Sequence, residues 1–242
     1  MRHAIPLLLA LAACAHEPQA PPPATGEPRP TITVKATDDF EVTGNGSNPA
    51  WSKAEWVVLH RRQADGHPYE SRFKILYSKT GLYLLMDGTD KKLTTTGRAD
   101  FENLWEEDVY EAFFWPDESQ PLYFEYEISQ KNHELPILVP NNGGAFMGWR
   151  PWHYEGDRKV RKATSVRLAG NRNDAVEGWS AEFFIPYALL RGLKNVPPKP
   201  GTRWRANFYR VDYDDKKTTQ WDWARVGPSF HEYAKYGTLV FE

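Results

Sequence analysis

The residues with the most chemical potential are carboxylates and aromatic rings. Glu106, Glu107, Asp108, Glu111, Glu125 and Glu127 crowd into one stretch of the chain. Two carboxylates about 5–9 Å apart across a cleft, one with a raised pKa, could cleave a glycosidic bond. Crowded acids are equally common on solvated strand faces. The rings are abundant, with 10 Trp, 12 Tyr and 12 Phe in 242 residues. The apolar C–H faces of a pyranose pack on such rings, and Trp and Tyr add a polar handle. Much of this aromatic material can simply fill a β core. Trp149, Trp152, His153 and Tyr154 follow the turn-rich Asn141-Asn142-Gly143-Gly144. That loop either extends a binding platform or folds back onto the core. Trp221 and Trp223, two apart, should share a face, and at least one belongs in the core. No Ser-His-Asp set, phosphate loop or H-E-x-x-H pattern is present, and the seven histidines are scattered.

Composition narrows the classes. With 40% hydrophobic and 26% charged residues, the chain can bury a core and is neither disordered nor collagen-like. A formal net charge of -2 argues against a nucleic-acid partner. A single cysteine excludes a disulfide framework and the multi-cysteine zinc sites.

The beginning of the chain reads as a processing signal. Arg2 precedes a short apolar run from Leu7 to Ala13, too short to span a bilayer. It ends in Leu11-Ala12-Ala13-Cys14, which looks like a bacterial lipobox, with Cys14 as the acylated residue. Residues 1–13 are expected to be removed. Residues 14–30 form a lipidated cysteine followed by an extended Pro-rich tether, and 31–242 form one domain. The expectation is an exported lipoprotein of the bacterial cell envelope, anchored to the outer membrane or facing the periplasm. A plain secretory signal is the alternative.

These groups must be positioned by strands. Short apolar runs bounded by turns recur at 55–60, 71–78, 82–86, 109–115, 122–128, 164–168, 179–185, 204–211 and 237–241. Lys79-Thr80-Gly81 closes a hairpin. Residues 122–128 put Leu122, Phe124, Tyr126 and Ile128 on one face and Tyr123, Glu125 and Glu127 on the other. Residues 186–193 suggest a short helix starting at Pro186. The pattern predicts an all-β fold, an antiparallel β-sandwich of the jelly-roll kind with one or two short helices.

Several segments resemble the family 9 carbohydrate-binding modules, part of the wider DOMON-like group. They are Asn48-Pro49-Ala50-Trp51-Ser52-Lys53-Ala54; Gly81-Leu82-Tyr83-Leu84-Leu85; Trp105-Glu106-Glu107-Asp108-Val109-Tyr110-Glu111, which fits W-E-x-D-x-x-E; Gly178 to Pro186, which fits G-W-x-x-E-x-x-I-P; 201–210; and 229–237. Together they cover roughly 31–242, and the branch they resemble most is the family 9-like one of bacterial lipoproteins.

The resemblance implies non-catalytic saccharide binding in support of polysaccharide breakdown. Trp105 falls on the first of two sugar-sandwiching tryptophans, and Phe230 on the second, without its indole N–H. Glu111 falls on a hydroxyl-binding glutamate; on a regular strand its six-residue spacing from Trp105 would put both on one face. Glu125 and Glu127 replace an Arg and an Asn that hold hydroxyls, so reducing-end specificity does not carry over. Asn207 and Arg210 lie on a late strand that contributes polar contacts, although Arg210 could equally pair with a glutamate. Asp90 and Asp108 fall near acidic residues that sometimes adjoin calcium, so a structural calcium is the one cofactor suggested. The alternatives are a partner-binding lipoprotein with a degenerate sugar site, a glycoside hydrolase, and a haem binder, for which only Met86 and Met147 could serve as thioether ligands.

Overall fold

Alternating side chains punctuated by Gly, Pro and Asn produce short paired strands throughout. A computed structural model describes residues 29–242, apart from 64–67, 143–144, 153–154, 171–174 and 215–216. The leader, Cys14, His153 and Tyr154 therefore lie outside the described residues.

The strands are β1 (Thr31–Ala36), β2 (Val57–Arg61), β3 (Ser71–Tyr77), β4 (Gly81–Thr89), β5 (Val109–Trp115), β6 (Leu122–Ser129), β7 (Glu134–Asn142), β8 (Ala145–Phe146), β9 (Arg150–Pro151), β10 (Arg161–Leu168), β11 (Val176–Pro186), β12 (Arg203–Asp214), β13 (Lys217–Asp222) and β14 (Gly237–Phe241). One sheet runs β10–β11–β4–β3–β2 and the other β14–β12–β5–β6–β7. They stack as a sandwich. The expected 78–81 turn is present, with Ser78 Oγ accepting from the N–H groups of Thr80 and Gly81.

Two details differ from the sequence expectation. β1 is parallel to both its neighbours: Thr31–Val34 pairs with β14, and Lys35–Ala36 then pairs with β3. This strand crosses from one sheet to the other and stitches that side of the sandwich. The segment 186–193 is a run of turns with no regular helix, bonded Leu189 N to Pro186 O and Leu190 N to Tyr187 O. So short a segment does not recover the cost of helix nucleation, whereas Leu189, Leu190 and Leu193 bury themselves in the core.

Buried clusters between the sheets and on their outer faces take most of the aromatic excess. Six of the ten tryptophans, Trp51, Trp115, Trp179, Trp204, Trp221 and Trp223, are buried. Both Trp221 and Trp223 belong to the inter-sheet core. Glu182, from the G-W-x-x-E segment, is a structural acceptor. Its carboxylate receives the N–H groups of Thr43 and Gly44 and the Trp51 indole, each at 2.8 Å, and so pins the 43–51 loop.

The second sheet is buried on both faces. Tyr110, Ala112, Phe114, Phe124 and Tyr126 point between the sheets. Val109, Phe113, Trp115, Tyr123, Tyr209 and Val211 point the other way, into a second apolar cluster roofed by Tyr233 and Tyr236. The polar face of β6, which in a simple sandwich would meet water, is therefore covered.

Candidate functional site

The outer face of β5 and β6 forms the floor of a cavity of about 390 Å³, within the range of small-ligand sites. Alternation places Glu111 on this face, directly opposite Glu127, with Glu125 two residues along β6 opposite Phe113. The three carboxyl groups are only 3%, 1% and 3% exposed. Burial holds each well above the usual carboxylate range, and neighbouring carboxyls push further: Glu127 on Glu111, Glu111 on Glu125, and Glu125 on Glu127. Glu125 and Glu127 lie within hydrogen-bonding reach of each other, so the pair favours sharing a proton.

Aromatic rings wall the cavity. Trp105 sits on the turn Leu104–Glu106 that precedes β5, and its carbonyl accepts from Tyr213 Oη at 2.6 Å. Its backbone N–H supports the Glu127 carboxyl. The Trp149 ring meets it edge-on, with centroids 5.5 Å apart. Opposite, Phe230 stacks flat on Tyr209 at 4.1 Å and 8°. Phe146, on the β7–β8 hairpin, stacks on His231 at 4.2 Å. His231 Nδ1 shares a hydrogen bond with Tyr123 Oη at 2.5 Å and lies 3.9 Å from Glu125 Oε2. Burial lowers the His231 pKa to about 4, so the ring is neutral near pH 7.

Trp105, Glu111, Glu125 and Phe230 thus converge on one cavity, although Trp105 and Glu111 meet across a turn and not along a strand. Asn207 and Arg210 do not line it. Asn207 is fully buried beneath it. Its amide nitrogen donates to Tyr209 Oη (2.7 Å) and Ala224 O (2.9 Å), and its oxygen accepts from Ala224 N. Tyr209 Oη in turn donates to the Phe230 carbonyl, as does Tyr236 Oη. Asn207 is a positioning residue for the Phe230 wall. Arg210, three residues on, points into the inter-sheet side with no exposure.

Arg210 meets Asp90, one of the two acidic residues suggested for calcium, together with Asp212. Carboxylate oxygens of Asp90, Asp108 and Asp212 lie within 4.8 Å of one another, all buried. Oxygen donors of this kind suit calcium, which takes six to eight of them. Here Arg210 Nη2 donates to Asp90 Oδ2 (2.9 Å) and Asp212 Oδ2 (2.6 Å). Asp108 spends its oxygens on the N–H groups of Thr94 (2.5 Å) and Tyr213 (2.8 Å). Burial raises the Asp108 pKa to about 7 and that of Asp212 to about 8. The set as arranged does not fit a calcium ion, because a guanidinium already bridges two of its three members.

The remaining sequence candidates separate. Glu107 caps the 96–97 loop through the N–H groups of Thr96 and Gly97, and Glu106 is exposed. Trp152 folds onto the core and donates to Leu189 O at 2.7 Å, while Trp149 faces the cavity. Phe146, Tyr213 and His231 were not singled out from the sequence as site residues. The position of Phe146 just after the sequence Asn-Asn-Gly-Gly and the adjacency of His231 to Phe230 were the available signals. A second cleft, on the other sheet, is lined by Trp56, Arg72, Asp87 and Arg167. Arg72 lies over the Trp56 ring at 4.2 Å and takes that stacking surface.

Residues 42–241 match the model of the carbohydrate family 9 binding domain-like family. An extracellular protein of Arthroderma benhamiae is 23% identical over 192 residues, spanning 73% of this chain and 81% of that protein. A proposed carbohydrate-binding protein from Bacteroides uniformis superposes with TM-score 0.66 at 20% identity, over 89% of this chain and 100% of that one. A family 9 carbohydrate-binding module from Caldicellulosiruptor kristjanssonii in complex with glucose gives 0.61 at 14% identity, over 88% and 95%. Its complex with cellotriose gives the same score and identity, over 88% and 93%. These structures share the fold.

Proposed function

This chain belongs to the carbohydrate family 9 binding domain-like family, and from that premise we propose that the Trp105–Phe230 cavity binds a saccharide without catalysis. The observation that carries the reading is the convergence of flat rings and buried acceptors on one sheet face. Trp105 and Trp149 offer surfaces for the C–H faces of a pyranose, Phe230, held between Tyr209 and Arg62, closes the wall, and Glu111, Glu125 and Glu127 offer partners for in-plane donors. The related module bound to glucose and cellotriose supports a sugar of that size. Contacts of this kind correspond to micromolar-to-millimolar affinity, on the order of -4 to -8 kcal/mol.

The test is retention on immobilised glycans beside titration with cellotriose. Trp105 is partly exposed, so Trp105→Ala is expected to keep the fold and lose binding. A folded wild-type domain that binds no glycan, with Trp105→Ala unfolding, would instead support a partner-binding protein with a degenerate sugar site. We further propose that the chain is exported, acylated at Cys14 and held off a membrane by its Pro-rich segment, where it serves polysaccharide breakdown. The leader and tether composition support this. Cys14→Ala should release the protein from the membrane fraction. We also infer that Arg210, rather than calcium, occupies the carboxyl oxygens of Asp90 and Asp212.

A further inference from the structure

The floor of the cavity is unusual for a site that takes only neutral hydroxyls. Glu111, Glu125 and Glu127 stand together on one sheet face, and Oε2 of Glu125 and of Glu127 is buried with no hydrogen-bond donor among the described residues beyond a proton shared between the two acids. Buried acceptors left so are expected to have a purpose. No lysine or arginine is among the described residues that line the cavity. Arg62, 5.0 Å from the Phe230 ring centre, is already bound by Asp222 and by the Gly227 carbonyl. Three carboxyls gathered out of water repel one another, and a cation relieves that repulsion where a hydroxyl does not. Trp105 and Trp149 add ring faces that attract cations as well as C–H groups.

We propose that this cavity selects an amino saccharide, its ring packed on the aromatic walls and its protonated amine set among Glu111, Glu125 and Glu127. The proposal rests on the carbohydrate-binding reading and names its ligand class. The titratable groups facing the three carboxyls are His231 and Tyr236 from the 229–236 segment, Tyr123 on β6, Tyr209 and Tyr213 on β12, and Glu107 ahead of β5. His231 is neutral near pH 7 and the tyrosines are held protonated by burial, so none of these residues supplies a competing positive charge. An ammonium stabilises the ionised carboxyls, so its binding should release protons into solution. Affinity should therefore rise with pH through the titration of the cluster, until the amine loses its own proton.

The test compares three trisaccharides with the same β-1,4 backbone: cellotriose, chitotriose and its fully deacetylated form. They carry a hydroxyl, an acetamide and an ammonium at the same ring position. The deacetylated sugar should bind roughly tenfold tighter than cellotriose at low salt, the step between a neutral and a charge-assisted hydrogen bond. Titrating the wild-type protein in two buffers of different ionisation heat should reveal proton release for that sugar alone, a readout that needs no variant. Glu127→Gln, with its fold checked by circular dichroism, should reduce the ratio between the two sugars. Cellotriose binding with no preference for the amine, or equal binding of a simple diamine, overturns the proposal and leaves saccharide binding standing. Binding of none of the three by folded protein overturns both.

Discussion

Arg210→Met should unfold the domain more readily without touching the sugar cavity. Arg210 is wholly buried, with Nη2 on Asp90 and Asp212 and Nη1 donating to Thr89 O at 2.7 Å. Its guanidinium lies 4.9 Å from the Trp221 ring centre. A Cβ at Gly88 would stand 2.5 Å from Nη1, so glycine there makes the approach feasible. Methionine keeps much of the packing volume but leaves two buried aspartates without their cation. Breaking a buried pair from one side costs about 3–5 kcal/mol, a large share of the 5–15 kcal/mol that typically holds a domain. For a chain of this size that is a fall of about 6–20 °C in Tm. Urea unfolding followed by tryptophan fluorescence should show a lower midpoint at unchanged slope. Adding Asp212→Asn should recover part of the loss, because one of the two stranded acids is removed. If Arg210→Met melted within about 2 °C of the parent yet lost glycan retention, Arg210 would be a ligand contact and the internal-pair argument wrong.

Stability should fall as pH rises from about 5.5 to 8.5. Asp108 (about 7) and Asp212 (about 8) titrate above their unfolded values, as do the three cavity glutamates, so the folded state holds more protons and loses that advantage as pH climbs. His231, lowered to about 4, works in the opposite sense between its unfolded value and pH 4, and the acids outnumber it. Differential scanning fluorimetry across this range checks the slope. Chelation with EDTA, or added calcium, should leave Tm unchanged; a calcium-dependent rise of several degrees would reinstate a metal among Asp90, Asp108 and Asp212. Phe230→Ala should weaken glycan retention with little change in Tm, since Phe230 is partly exposed. Asn207→Ala should do both, costing about 2–3 kcal/mol by orphaning the Ala224 backbone groups and weakening retention by loosening the Phe230 wall.

The elements that position the site were legible where side chains alternate. Residues 122–128 announced both β6 and its two faces, so the sharing of one face by Glu125 and Glu127 needed no structure. The hairpin at 79–81 and the strands over 109–115, 179–185 and 204–211 were legible for the same reason. β7 was not, because Pro136 and Pro140 interrupt its apolar run, and such prolines are tolerated where a strand's outer neighbours are only the short β8 and β9. β13 escaped because its threonines and glutamine carry no alternation strong enough to read.

The amino-acid sequence by itself determined the pairing of faces and the motif residues, since those depend on a period of two along a strand. Parity also separates Asn207 from Arg210, which lie three apart and must point to opposite sides of β12. What parity cannot say is which side meets ligand and which meets core. That depends on elements far away in the chain. Asp90 and Gly88 on the opposite sheet receive Arg210, and the 228–236 segment with the Phe146 hairpin roofs the glutamates. A carboxylate on an exposed face is an ordinary solvated acid. Only the tertiary structure, by bringing that roof over three of them at once, removes the water and turns a polar strand face into a candidate site.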